Sequence, residues 1–246
     1  ESYAVAAHAA KKTGQTQLAI SLAFTRGSIL LKAGRHETAT GVFDELARHQ
    51  PAHQFSATSH LLWAWCLGHR FRDDPTPEKG QAFQTALMAH RTKHPRGRTF
   101  GEATWLLAGL VESSRRYEQA RKFYAQVPVS HARQPQAMLG IARCWERELQ
   151  DLVGDEAHRN RQRAKAIVQL EQLISDIPAA GARWTIPETD LAIRLAKLRL
   201  EADPPRFARA DALLRIVLTH GPAPDRAPGD RAAGLRPDRR LPRGRV

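Results

Sequence analysis

Cysteine is almost missing from this 246-residue chain: Cys66 and Cys144 are the only two, and neither belongs to a paired motif. That excludes a disulfide framework and a cysteine-based zinc site. Both thiols read as small buried hydrophobes inside helices. Clusters of β-branched residues are also lacking, while Ala, Leu, Arg and Gln dominate, so the chain favours helix over sheet. No apolar stretch is long enough to span a bilayer as a helix. No glycine-rich loop leads into a Lys-Ser or Lys-Thr pair, so the phosphate-cradling motif is absent. Glu146 and Glu148 are two residues apart and diverge on a helix, which does not make a working acid/base pair. His90 and His94 have the spacing of a metal-binding pair, but no carboxylate or Cys stands near them in sequence. His49 and His53 have Pro51 between them and do not share a helix face. Catalytic, cofactor-binding and metal-binding residues are therefore expected to be none.

What is present is repetition. A small or apolar anchor is followed at four, seven and twelve residues by an aromatic or Leu, a third residue and Pro. The runs are Ala39, Phe43, Leu46, Pro51; Phe83, Leu87, His90, Pro95; Ala166, Leu170, Leu173, Pro178; and Ala210, Leu214, Val217, Pro222. A further run, Ala120, Tyr124, Val127, has Ala132 in place of Pro. Offsets of four and seven share one helical face and Pro cannot continue a helix, so each run predicts a helix that buries one stripe and stops. Before each anchor lies a Leu followed by a small residue: Leu67-Gly68, Leu107-Ala108, Leu139-Gly140 and Leu195-Ala196, with Arg26-Gly27 in the first unit. These mark partner helices that approach closely where bulk is missing.

Leu67-Gly68 followed by Phe71, and Gly27, Gly34, Ala39, Phe43 and Pro51 in register, resemble the tetratricopeptide repeat (TPR) family. The resemblance covers roughly residues 17 to 222. Against the family period of about 34 residues, the anchors here step by 44, 37, 46 and 44. The excess falls between the two helices of a unit, as in the loop Arg72 to Pro77. The resemblance implies an all-α fold: a right-handed α-solenoid of about five stacked helix-turn-helix hairpins; the Pro-, Gly- and Arg-rich composition after residue 220 adds the expectation of a disordered basic C-terminal tail. The expected units are 17–52, 56–96, 100–134, 135–179 and 187–220. Residues 1–16 read as the end of a preceding helix at a fragment edge, and 221–246 as the tail.

In the family the first helix of each unit lines the concave face. By register, the partner-binding candidates are Phe24, Ser28 and Lys32, then Trp65 and His69, then Trp105 and Glu112, and finally Ile141. The implied function is a non-catalytic scaffold that binds a peptide or protein partner in a concave groove. It would be part of a larger bacterial-type regulatory or assembly protein, with the unpaired cysteines favouring the cytoplasm. Phe24 and Trp105 occupy positions where the family's carboxylate clamp needs polar groups, so that activity is not implied.

Charge supports a second reading. Lys and Arg number 38 against 25 acidic residues, a formal net charge of +13. The tail carries seven Arg against three Asp, with five Pro and four Gly. Two clusters, His90 to Arg98 and Arg159 to Lys165, together with that tail, would serve a nucleic-acid-binding helical array. Aromatics are not interleaved with them as in a single-strand platform. A third reading makes the chain a regulatory segment for an enzyme domain outside it.

Overall fold

The computed structural model describes residues 2–49, 53–175 and 184–222, and among these every regular element is an α-helix. The helices are α1 (Ser2–Lys12), α2 (Thr16–Lys32), α3 (His36–His49), α4 (Ser56–Asp73), α5 (Pro77–Lys93) and α6 (Phe100–Ser113). They continue with α7 (Tyr117–Tyr124), α8 (Gln134–Asp151), α9 (Glu156–Ser175), α10 (Ile186–Leu200) and α11 (Phe207–His220). The expected tail, from residue 223 on, and the repeat prolines Pro51 and Pro178 lie outside the described residues.

Local sequence sets the turns. Gly14 and Gly34 both take a φ of +73°, the left-handed conformation that an L side chain resists. Each closes the same motif: Gln15 N donates to Ala10 O at 2.9 Å, and Arg35 N donates to Leu30 O at 2.9 Å. The α6–α7 turn repeats it without glycine, since Arg115 sits at φ 58° and Arg116 N donates to Val111 O. Thr76 caps α5 by accepting from Lys79 N, with Pro77 opening the helix. Thr185 and Glu188 form a reciprocal capping box on α10. Pro95 and Pro222 follow α5 and α11 within two residues of their ends, as the repeat signature predicts. In the third unit Pro128, not position 132, follows the short α7. The loop expected from Arg72 to Pro77 is shorter than its sequence predicts, because α4 runs through Asp73.

Every helix packs against the next in chain order. The hairpins α2–α3, α4–α5, α6–α7, α8–α9 and α10–α11 therefore stack into an all-helical solenoid. Glycines admit the aromatics that join them. A Cβ on Gly27 would lie 2.8 Å from the Phe43 ring, and one on Gly68 would lie 2.7 Å from Phe83. These contacts are within hairpins. Gly140 differs: a Cβ there would lie 2.6 Å from the ring of Tyr124, which belongs to the preceding hairpin. The apolar interior runs between layers, from Phe83 and Leu87 through Leu107, Ile141 and Leu170 to Leu191 and Leu213, as expected where each repeat is buried only by its neighbours. A separate cluster around Ile20, Phe43 and Cys66 fills the first two hairpins.

Candidate functional site

The first helices of successive hairpins share one side of the solenoid. There α8 meets both α6 and α10, skipping the second helices between them. Between α4 and α6 the wall opens instead, and a cleft of about 530 Å³ lies there.

Its walls come from two hairpins. From α4 come Trp65, His69 and Arg72; from α6 come Glu102, Trp105, Leu106, Leu110 and Ser113, with Phe83 and Gly68 deeper in. Trp65 is half-buried, its ring centroid 3.7 Å from that of His69 and 5.7 Å from that of His36. His36, at the start of α3, stacks on His69 at 4.3 Å. Burial lowers the pKa of His69, and the charges of Arg72 and His36 push the same way. Across the cleft Arg133 lies over the Trp105 ring at 4.3 Å. Its guanidinium clamps both Glu102 carboxylate oxygens at 3.0 to 3.2 Å, fixing the indole's outer face.

The structure thus brings Trp65, His69 and Trp105 together. The other candidates fall elsewhere. Phe24 stacks on Phe55 at 4.5 Å and meets Phe43 edge-on at 5.9 Å, joining the first hairpin to the second. Ser28 Oγ donates to Phe24 O at 2.9 Å, and Lys32 is exposed at the end of α2.

Two candidates need correction. Ile141 is 1% exposed and belongs to the interior, because α8 is enclosed by α6, α7, α9 and α10 and has little free face. Glu112 is 5% exposed, and its carboxylate is already occupied. Tyr124 Oη donates to it at 2.6 Å, Arg143 at 3.0 and 3.2 Å, and Arg147 lies at 3.1 Å. Burial alone would raise the Glu112 pKa, but the Arg143 and Tyr124 hydrogen bonds and the two arginine charges outweigh it and hold it low. The same carboxylate and burial push the Tyr124 phenol far above its usual range. This is a joint between hairpins. Arg121 lies beside it over the Trp145 ring at 3.5 Å and pairs with Glu148.

The fold engages part of the basic clusters, while Lys93, Arg96, Arg98, Arg161 and Lys165 are exposed with no ion-pair partner among the described residues. Arg91 sits against Phe100 and Phe123 at 5.3 and 5.0 Å and donates to Thr104 Oγ1 at 3.0 Å. Arg159 donates to Leu152 O and pairs with Glu156. Arg163 is largely buried, facing Glu201 at 4.0 Å. His60, His90 and His94 form a triangle with ring centroids 5.0 to 5.9 Å apart. Burial, with Lys93 and His94, pushes His60 down to about 4. Burial, with its two histidine neighbours, takes His90 to about 3. Among the described residues no group of three His, Cys, Asp or Glu is placed to hold a metal ion. Burial also raises both thiols, Cys66 to about 11 and Cys144 to about 12, so neither is a nucleophile at neutral pH. Among the described residues no helix is long and apolar enough to cross a membrane.

Stacked helical hairpins, with glycines seated on aromatics of the neighbouring helix, define a helical-repeat protein of TPR-like fold. Solved structures agree. MamA, as the RS-1 ArsTM double mutant, is similar with a TM-score of 0.52 at 12% identity, over 87% of this chain and 96% of that one. BtubC (BKLC) from P. vanneervenii is similar with a TM-score of 0.50 at 11% identity, over 100% of this chain and 95% of that one. No protein-family model and no curated protein matches the sequence.

Arg72, His36, Glu102 and Arg133 were missed by the sequence register. Arg133 precedes α8 and reaches back 31 residues to Glu102, a pairing with no local signal. Arg72 stands three residues beyond His69, one helical turn along the same face, and could have been found.

Proposed function

We propose that the chain is a non-catalytic protein-interaction scaffold whose α4–α6 cleft takes an extended segment of a partner protein. The observation that carries this reading is the convergence of Trp65 and Trp105, from different hairpins, on one cleft with half-buried indole faces. Large rigid aromatics of this kind anchor partners at little entropic cost. The rim is polar and the floor, formed by Phe83, Leu106 and Leu110, is apolar, the usual anatomy of a recognition site. Of the cations that a nucleic-acid reading needs, Arg91 is engaged by Phe100 and Phe123 and Arg159 by Leu152 and Glu156, while Lys93, Arg96, Arg98, Arg161 and Lys165 are exposed, so the tryptophan cleft is what favours a protein partner.

The test is truncation of the anchors. Trp65→Ala and Trp105→Ala each weaken binding of a cognate protein segment by about 2 kcal/mol, roughly thirtyfold. Far-UV circular dichroism of the variants checks that the solenoid is retained. Segments that bind the folded double variant as tightly as the native chain refute the assignment.

A further inference from the structure

Charge around the same cleft narrows what it binds. Toward the C-terminal end, arginines of the first helices are matched with carboxylates: Arg143 and Arg147 with Glu112, and Arg194 with Glu146 and Asp190. In the cleft itself Glu102 is neutralised by Arg133. Arg72 is the exception. It is exposed, lines the cleft, and has no carboxylate partner among the described residues; its guanidinium meets only the His69 ring nitrogens, at 2.7 and 2.8 Å. Asp73 follows it in sequence but is exposed, and Asp74 is paired with Lys79. Lys32 on the adjoining hairpin is exposed and likewise unpaired among the described residues.

We infer that the partner segment carries a carboxylate side chain beside a bulky apolar one, the apolar group entering between Trp65 and Trp105 and the carboxylate meeting Arg72. This rests on the cleft being the recognition site and goes on to name the chemistry recognised there. A planar guanidinium matches a carboxylate with two parallel hydrogen bonds. Trp65 and Trp105 with Leu106 and Leu110 supply an apolar seat. A cleft of about 530 Å³ holds a large side chain and part of its neighbour. A basic segment would meet the unpaired Arg72 charge, a mismatch that disfavours it.

The test uses the whole chain, immobilised, with a phage-displayed random heptapeptide library at low salt. Selected sequences are expected to place Asp or Glu next to Leu, Phe or Trp. Their synthetic forms should bind about tenfold more weakly to Arg72→Glu, and a peptide with Lys in place of the acid should recover that loss on the variant. Arg72 is exposed, so the variant folds, which circular dichroism verifies. Peptides that need Trp65 and Trp105 but show no acidic bias and ignore Arg72→Glu overturn this inference and leave the scaffold reading standing. Peptides indifferent to the tryptophans, or a library without binders, overturn both. A mixed single-stranded RNA 12-mer that binds the native chain and is lost in Arg72→Glu and the tryptophan variants would also overturn it, in favour of phosphate recognition.

Discussion

Replacing Glu112 with Gln tests whether the joint between the third and fourth hairpins is structural. The native carboxylate takes hydrogen bonds from Tyr124 and Arg143 and a charge contact from Arg147. Breaking a fully buried ion pair costs about 3 to 5 kcal/mol. Here the Arg143 and Arg147 side chains keep 33% and 49% of their exposure, so water recovers part of each charge. The net loss is then about 2 kcal/mol. Tyr124→Phe removes one donor while the carboxylate keeps the others, so about 1 kcal/mol is lost. The two changes share a partner, and the double variant should lose less than the sum of the singles. Urea unfolding followed by circular dichroism should show the Glu112→Gln midpoint falling by about 1 M. A solenoid propagates through neighbours, so a weakened joint should also let the two ends unfold apart, seen as non-coincident circular dichroism and tryptophan transitions. An unchanged midpoint, combined with weakened partner binding, would show that Glu112 faces a ligand and refute the reasoning.

Other variants probe separate parts of the account. Gly68→Ala drives a methyl into the Phe83 ring and should cost about 1 to 3 kcal/mol by chemical denaturation; Gly41→Ala, exposed mid-helix with open space, should gain about 0.5 to 1 kcal/mol. Arg115→Gly, which relieves a left-handed non-glycine residue, should raise the melting temperature through a gain of about 1 kcal/mol. His60 and His90 have folded-state pKa values of about 4 and 3, below the ordinary 6.5. Folding therefore favours their neutral forms: this contribution is fully present above pH 6.5 and is lost as pH falls through the folded values. The depressed Glu112 pKa adds a loss of the same sign below its ordinary value of 4.5. A denaturation midpoint that held constant from pH 7 to pH 4 would contradict this, as would a His60→Leu variant with undiminished acid sensitivity.

Much of the architecture was legible because repeats advertise themselves. Offsets of four and seven put Ala39, Phe43 and Leu46 on one face, and all three are buried; Leu67-Gly68 marked a close approach that Phe83 fills. The site was less legible. Register relative to each Leu-small pair put Trp65, His69 and Trp105 on first helices, and these three line one cleft because α4 and α6 leave a gap between them. It misjudged Ile141 because the number of neighbours around α8 is a property of the stack, invisible in the helix itself. It misjudged Glu112 because Tyr124 and Arg143 come from 12 and 31 residues further along the chain. Long-range charge pairing leaves no periodic trace.

The proposed recognition between α4 and α6 can be tested at the cleft itself. A photo-crosslinking residue placed at Ser113, which lines the cleft, and separately at Val168, exposed on α9, tests it directly with a peptide selected on the native chain. The account predicts crosslinking from position 113 and none from 168. Crosslinks from 168 with none from 113 would contradict it.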